Sequence, residues 1–183
     1  MISRFAAVFL AALVPLWGQA HFRVGAKAGA PLAAITEGTT SFPGILNRNF
    51  WWTVGPMVEI DLPLRFGIEV DILYRRVGFK DTFRFGELRG NMWDFPILAK
   101  YRFQSGRVEP YLGAGWTYRR LDDLLRTSAS KSNGPVVSFG LRINSKRIQL
   151  SPELRYTHWP NQNIRTGFRT NKNQLEALFG ITF

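Results

Sequence analysis

The segment that ends the chain, Gln174 to Phe183, places Leu175, Ala177, Phe179, Ile181 and Phe183 at alternate positions, with Gln174, Glu176, Gly180 and Thr182 between them. A β-strand sends successive side chains to opposite faces, so the five apolar residues share one face and the polar and small residues share the other. Two settings demand such a strand: the half-buried edge of a soluble sheet, or a wall with lipid on one side and a polar lumen on the other. Repetition of the pattern decides between them.

The pattern repeats. Amphipathic strands are expected at 21–32, 51–62, 65–75, 92–103, 111–119, 135–144, 148–159 and 174–183. That makes eight, an even number. The connectors alternate in length: 33–50, 76–91, 120–134 and 160–173 are long, whereas Pro63-Leu64, 104–110 and Ser145-Lys146-Arg147 are short. Membrane-spanning barrels have short turns on one side and longer loops on the other, with both termini on the short-turn side. The expected fold is therefore all-β, an eight-stranded antiparallel up-and-down transmembrane β-barrel.

Alternation alone does not say which face points outward, because a soluble barrel alternates with its apolar set inside. Size decides. The apolar faces carry Trp52, Phe66, Trp93, Phe95, Tyr101, Phe103, Trp116, Tyr118, Phe139, Tyr156 and Phe179, and the opposite faces carry Gly25, Gly29, Gly55, Gly67, Gly113, Gly115, Gly140 and Gly180. An eight-stranded interior is just wide enough for side chains to fill, so the rings belong outside and the glycines inside. Two aromatic girdles result, Trp52, Tyr74, Trp93, Tyr118 and Trp159 at the long-loop rim, and Phe22, Phe66, Phe103 and Phe183 at the short-turn rim.

Residues 1–20 read as a cleavable secretory signal peptide, with Arg4, an apolar run from Phe5 to Leu16, and small residues Gly18 and Ala20 before a cut at His21. The run is shorter than the roughly 20 residues a spanning helix requires. One barrel domain, 21–183, follows. Although an exported chain can form disulfides, this one has no cysteine, so backbone pairing and packing must supply its stability. Its formal net charge of +11 would suit nucleic acid, but export excludes that partner and points instead to anionic lipid.

Inward positions carry Arg23, Lys27, Glu59, Asp61, Glu69, Asp71, Arg75, Asp94, Lys100, Arg102, Arg119, Arg142, Glu153, Arg155 and Glu176, with acids and bases nearly balanced. Charges removed from water must be paired, so a structural ion-pair network is expected to fill the lumen. A narrow gated pore using Glu69, Asp71 and Arg75 is the alternative. The excess positive charge falls in connectors, and the last long loop, with Arg165, Arg169 and Lys172 and no acid, is expected to reach lipopolysaccharide phosphates if the barrel sits in an outer membrane.

Pro110-Tyr111-Leu112-Gly113-Ala114-Gly115, Pro152-Glu153-Leu154-Arg155-Tyr156 and Phe179-Gly180-Ile181-Thr182-Phe183 resemble the small outer-membrane barrel superfamily, including the OmpA-like transmembrane domain, opacity-type porin-like adhesins and the broad outer-membrane β-barrel domain family. The resemblance spans His21 to Phe183 and implies a bacterial outer-membrane location, with a role in membrane integrity, adhesion or surface interaction. It further implies a monomer whose terminal Phe179, Ile181 and Phe183 are read by the barrel assembly machinery. Arg155-Tyr156-Thr157-His158-Trp159-Pro160-Asn161 is also similar to a stretch of the outer-membrane lipid A deacylases, but Pro160 stands where their serine nucleophile stands. Without a hydroxyl beside His158, no enzyme is expected. With two histidines and no cysteine, neither a transition-metal site nor a cofactor is expected; Gly113-Ala114-Gly115 lacks the following helix of a nucleotide loop.

Overall fold

The computed structural model of the 183-residue chain describes residues 21–32, 36–37, 45–49, 52–81, 86–122, 130–160, 169–170 and 172–183. Residues 1–20, read as the signal peptide, lie outside them. The strands are β1 (His21–Pro31), β2 (Thr36–Glu37), β3 (Ile45–Asn49), β4 (Thr53–Asp61), β5 (Phe66–Asp71), β6 (Leu73–Asp81), β7 (Gly86–Arg102), β8 (Val108–Asp122), β9 (Ser130–Asn144), β10 (Gln149–His158), β11 (Arg169–Thr170) and β12 (Asn173–Thr182).

The sheet runs β1-β12-β10-β9-β8-β7-β5-β4 and closes through β1 pairing with β4 as well as with β12. β6 continues β5, and β3 pairs with β6 beside β4, so the wall is a closed barrel of eight antiparallel staves. The break between β5 and β6 has a simple cause. Ile72 donates to the Pro56 carbonyl at 3.0 Å, but Pro56 has no N–H to return, so the ladder lapses there while both strands keep one register against β7.

Closure satisfies the backbone without an open edge, which a wall in contact with lipid requires. Burial alternates along each stave: β5 runs exposed-buried from Phe66 to Asp71, and β12 repeats the alternation with Leu175, Phe179 and Ile181 outward. Rings gather near both rims. Trp52, Tyr74 and Trp93 meet as tilted rings with centroids 5.9 and 4.9 Å apart on the long-loop side; on the short-turn side Phe66 meets Tyr101 tilted at 5.2 Å and Tyr101 meets Phe103 edge to face at 5.6 Å.

Two expectations are corrected. The connectors expected at 76–91 and 120–134 are largely strand, because β6 and β7 pair out to Asp81 and Gly86 and β8 and β9 pair out to Leu121 and Ser130. The pairs Ile45–Asp81 and Arg169–Glu37 likewise put strand inside 33–50 and 160–173. These arms continue the backbone ladder past the apolar belt, where Arg76, Lys80, Arg89 and Arg120 stand at positions that continue the apolar parity. The second correction is Trp159, which is 1% exposed and points into the lumen rather than joining the outer girdle. It shares parity with Glu153 and Arg155, and that parity decides its face.

Candidate functional site

Every second residue of the eight staves converges on the lumen, and the charged ones fall into three tiers. In the middle tier, Lys27 from β1 donates to Glu69 at 2.5 Å, Asp71 at 3.2 Å and Glu153 at 3.0 Å. Arg155 faces the same acids, at 3.0 Å from Glu69, 2.8 Å from Asp71 and 2.7 Å from Glu153. Lys100 pairs with Glu69 and reaches Glu153 at 4.0 Å. The Tyr111 hydroxyl donates to Glu153 at 2.9 Å, and its ring lies 4.2 Å beneath the Lys100 ammonium.

Toward the long-loop end, Asp94 accepts from Arg119 Nε at 2.6 Å and Nη2 at 2.8 Å, and from Arg75 at 3.0 Å. Arg75 also donates to Glu176 at 2.5 Å. Arg119 donates to Gln174 Oε1 at 2.7 Å, and the Trp159 indole N–H reaches the same oxygen at 3.3 Å. The guanidinium lies 3.9 Å over the Trp159 ring. A flat ring stacked on a planar cation thus roofs this tier.

Toward the short turns, Arg23 and Arg102 both pair with Asp61, and Arg142 pairs with Glu59, with Asp61 at 3.0 Å and with Glu109 at 3.6 Å. Gln149 accepts from Arg23 at 2.8 Å and from Thr182 at 3.0 Å, tying β1, β10 and β12 together.

Each tier is formally neutral in its side chains. The middle tier sets Lys27, Lys100 and Arg155 against Glu69, Asp71 and Glu153; the long-loop tier sets Arg75 and Arg119 against Asp94 and Glu176; the short-turn tier sets Arg23, Arg102 and Arg142 against Glu59, Asp61 and Glu109. Desolvating charge is costly unless each ion finds opposite charge and hydrogen bonds, and local neutrality meets that condition level by level. Apolar packing adds to it. Met57, Leu73, Met92 and Leu98 are buried among the tiers. Seven buried polar atoms have no protein partner among the described residues: Asp71 Oδ1, Arg75 Nε and Nη1, Arg119 Nη1, Arg155 Nη1, Ser138 Oγ and Gln174 Nε2.

The sequence reading did not include Tyr111, Glu109, Gln149, Gln174 or Trp159 in this network. Parity with Gly113 and Arg119 turns Tyr111 inward, but a network drawn from charged residues alone leaves it out. Glu109 fell in a stretch read as a turn. His158 points to the outer face, where its Nδ1 and the Tyr156 hydroxyl share Asn173 Oδ1 at 2.8 and 2.9 Å. It is therefore on the opposite side of the wall from Glu153 and Arg155. Among the described residues no group of three or more His, Cys, Asp or Glu side chains is arranged to hold a metal.

Phe179 and Ile181 point outward on β12 at the seam with β1, and exposed Phe183 follows directly after the strand. Lys172 is exposed just before β12, Arg169 sits on β11, and Arg165 lies outside the described residues.

The fold is that of the small eight-stranded outer-membrane barrels. Neisserial surface protein A is similar at a TM-score of 0.56 and 19% identity, covering 89% of this chain and 97% of that one. Outer Membrane Protein W of E. coli is similar at 0.51 and 13%, covering 88% and 96%. No family model matches the chain. No curated protein matches it in sequence.

Proposed function

We propose that the chain is a non-enzymatic integral outer-membrane protein, exported by a cleaved signal peptide, whose filled lumen serves as a structural core. Its work would lie at the membrane and the cell surface, in membrane integrity or in adhesion through the long loops. The observation that carries this reading is the stack of neutral ion-pair tiers inside a closed wall with an apolar outer face. Such a lumen is a core, and a core leaves function to the rims.

The same reading assigns lipopolysaccharide phosphates to the basic loop of Arg165, Arg169 and Lys172, and the barrel assembly machinery to Phe179, Ile181 and Phe183. A heat-modifiability gel on outer-membrane fractions tests it: a closed barrel migrates faster before boiling. An unshifted band, or a folded monomer in detergent-free buffer, would overturn the assignment.

A second reading, a narrow gated pore, is favoured by one observation. Asp71 Oδ1 and the free nitrogens of Arg75, Arg119 and Arg155 run between the middle and long-loop tiers without protein partners. Polar atoms so placed are natural hosts for ordered water. Planar-bilayer recording separates the two, since stable conductance steps support the pore and their absence supports the core.

A further inference from the structure

Among the described residues, the three tiers use every acidic side chain near the short turns, and the cations left over there are not randomly placed. Arg65, Arg107, Lys146 and Arg147 occupy the three short turns, all exposed; among the described residues the acid nearest them in sequence is Glu109, two residues from Arg107, whose carboxylate accepts from the Gly106 N–H at 3.2 Å and Asn144 at 2.9 Å. Glu59, Asp61 and Glu109, the acids of that end, are already held by Arg23, Arg102 and Arg142. The long connectors differ in sequence: Glu37, Asp81, Glu87, Asp122 and Asp123 are interspersed among their bases.

An apolar fringe accompanies the cations. Leu64 is 82% exposed, Phe183 75% and Phe22 68%. The turn bearing Leu64 is unusual, since Leu64 and Arg65 both adopt left-handed backbone conformations, at φ of 61° and 68°. Glycine would adopt these without strain, whereas a bulky side chain at positive φ is a rare choice that calls for a reason. The result is an aliphatic tip beside a cation whose guanidinium is steadied by the Phe103 carbonyl at 2.8 Å.

We propose that the short-turn end is a binding surface for anionic phospholipid headgroups. Arg65, Arg107, Lys146 and Arg147 meet the phosphodiesters while Leu64 and the rim phenylalanines enter the acyl boundary. The proposal rests on reading the chain as a membrane barrel. A cation beside an anionic lipid surface shifts lipid preference by about fivefold. Four on one rim give a preference that a single exposed lysine does not.

Because the chain has no cysteine, Ser105→Cys gives a unique labelling site in the middle short turn. The mature chain carrying a fluorophore there is folded into phosphatidylcholine vesicles containing equal small fractions of brominated phosphatidylglycerol or brominated phosphatidylcholine. Quenching by the anionic lipid should exceed that by the zwitterionic lipid severalfold, and the excess should vanish in Arg65→Gln/Arg107→Gln/Lys146→Gln/Arg147→Gln. A probe at Asn133→Cys, near the opposite end, should not respond to those four substitutions. Equal quenching by the two lipids in the unsubstituted rim, a preference that survives the substitutions, or parallel changes at both probes would each overturn the proposal. A heat-modifiability gel on the same vesicles keeps the two readings apart. A chain that fails to insert overturns the membrane assignment and the proposal with it, whereas an inserted barrel with equal quenching overturns the rim proposal alone.

Discussion

The lumen and the outer face are built from the same eight staves, one residue out of register, yet they are held by opposite physics. Outside, Ile97, Leu112, Phe139 and Leu154 stand in adjacent staves and match a hydrocarbon environment without needing particular partners. Inside, Glu69 satisfies Lys27, Lys100 and Arg155 together, so each residue depends on several named neighbours. The outer face is tolerant of shape and intolerant of charge. The lumen is the reverse: charge is accommodated there, but only in balance.

The sharpest test of that contrast is to unbalance the middle tier. Glu69→Ala leaves Lys27, Lys100 and Arg155 with one acid fewer at full burial, and breaking a buried pair by removing one partner costs about 3–5 kcal/mol. Reversible urea unfolding in lipid vesicles should register that loss. A change below about 1 kcal/mol would mean that water, rather than counter-charge, stabilises the tier. Next in size is a charge on the other face. Ile97→Arg near mid-stave should cost about 2–4 kcal/mol, while Ile97→Leu should be close to neutral. If Ile97→Arg unfolds at the urea concentration of the parent, the outer face at that level is not in lipid.

The same contrast explains what the sequence made legible. Along the apolar belt alternation is strict, and the staves over 53–61, 92–102 and 149–158 stand out in the residue pattern. Past the apolar belt, the sequence positions that continue the apolar parity of β6–β7 and β8–β9 hold Arg76, Lys80, Glu87, Arg89, Arg120 and Lys131, so the alternation lapses and the strands there were not legible as strands. In the lumen, charge announced itself, whereas Tyr111 carries none and Trp159 looks in sequence like a lipid-facing ring. Only strict parity along β8 and β10 places them inside. The grouping into neutral tiers depends on which stave levels meet, and that follows from the stagger between staves rather than from any single strand.

A third prediction concerns the seam, where the outer face carries information as well as burial. Deleting Phe183 removes an apolar side chain worth about 1.5–3 kcal/mol when fully buried, an upper bound for a residue at the rim. Unassisted refolding into detergent should show at most that loss. If the assembly machinery reads the terminal alternation, insertion in cells should fall much further. Equal losses in the two assays would make Phe183 an ordinary lipid-facing residue.

The smallest expected effect falls on the residue that crosses the divide. Trp159 has the composition of a girdle aromatic and the position of a lumen residue, stacked on Arg119 and donating to Gln174. Trp159→Phe retains a ring over the guanidinium but removes the indole N–H, whose bond to Gln174 Oε1 is long at 3.3 Å. A net loss of about 0.5–1.5 kcal/mol is expected, since Gln174 keeps its acceptance from Arg119. Gln174→Leu should cost more than Trp159→Phe, because it strips a partner from Arg119, a charged donor, as well as from the indole. In the double substitution the two losses should not add, as both act through one oxygen. Strict additivity would mean that Trp159 and Gln174 do not act through that shared oxygen, and that the ring serves the tier through its stacking on Arg119 alone.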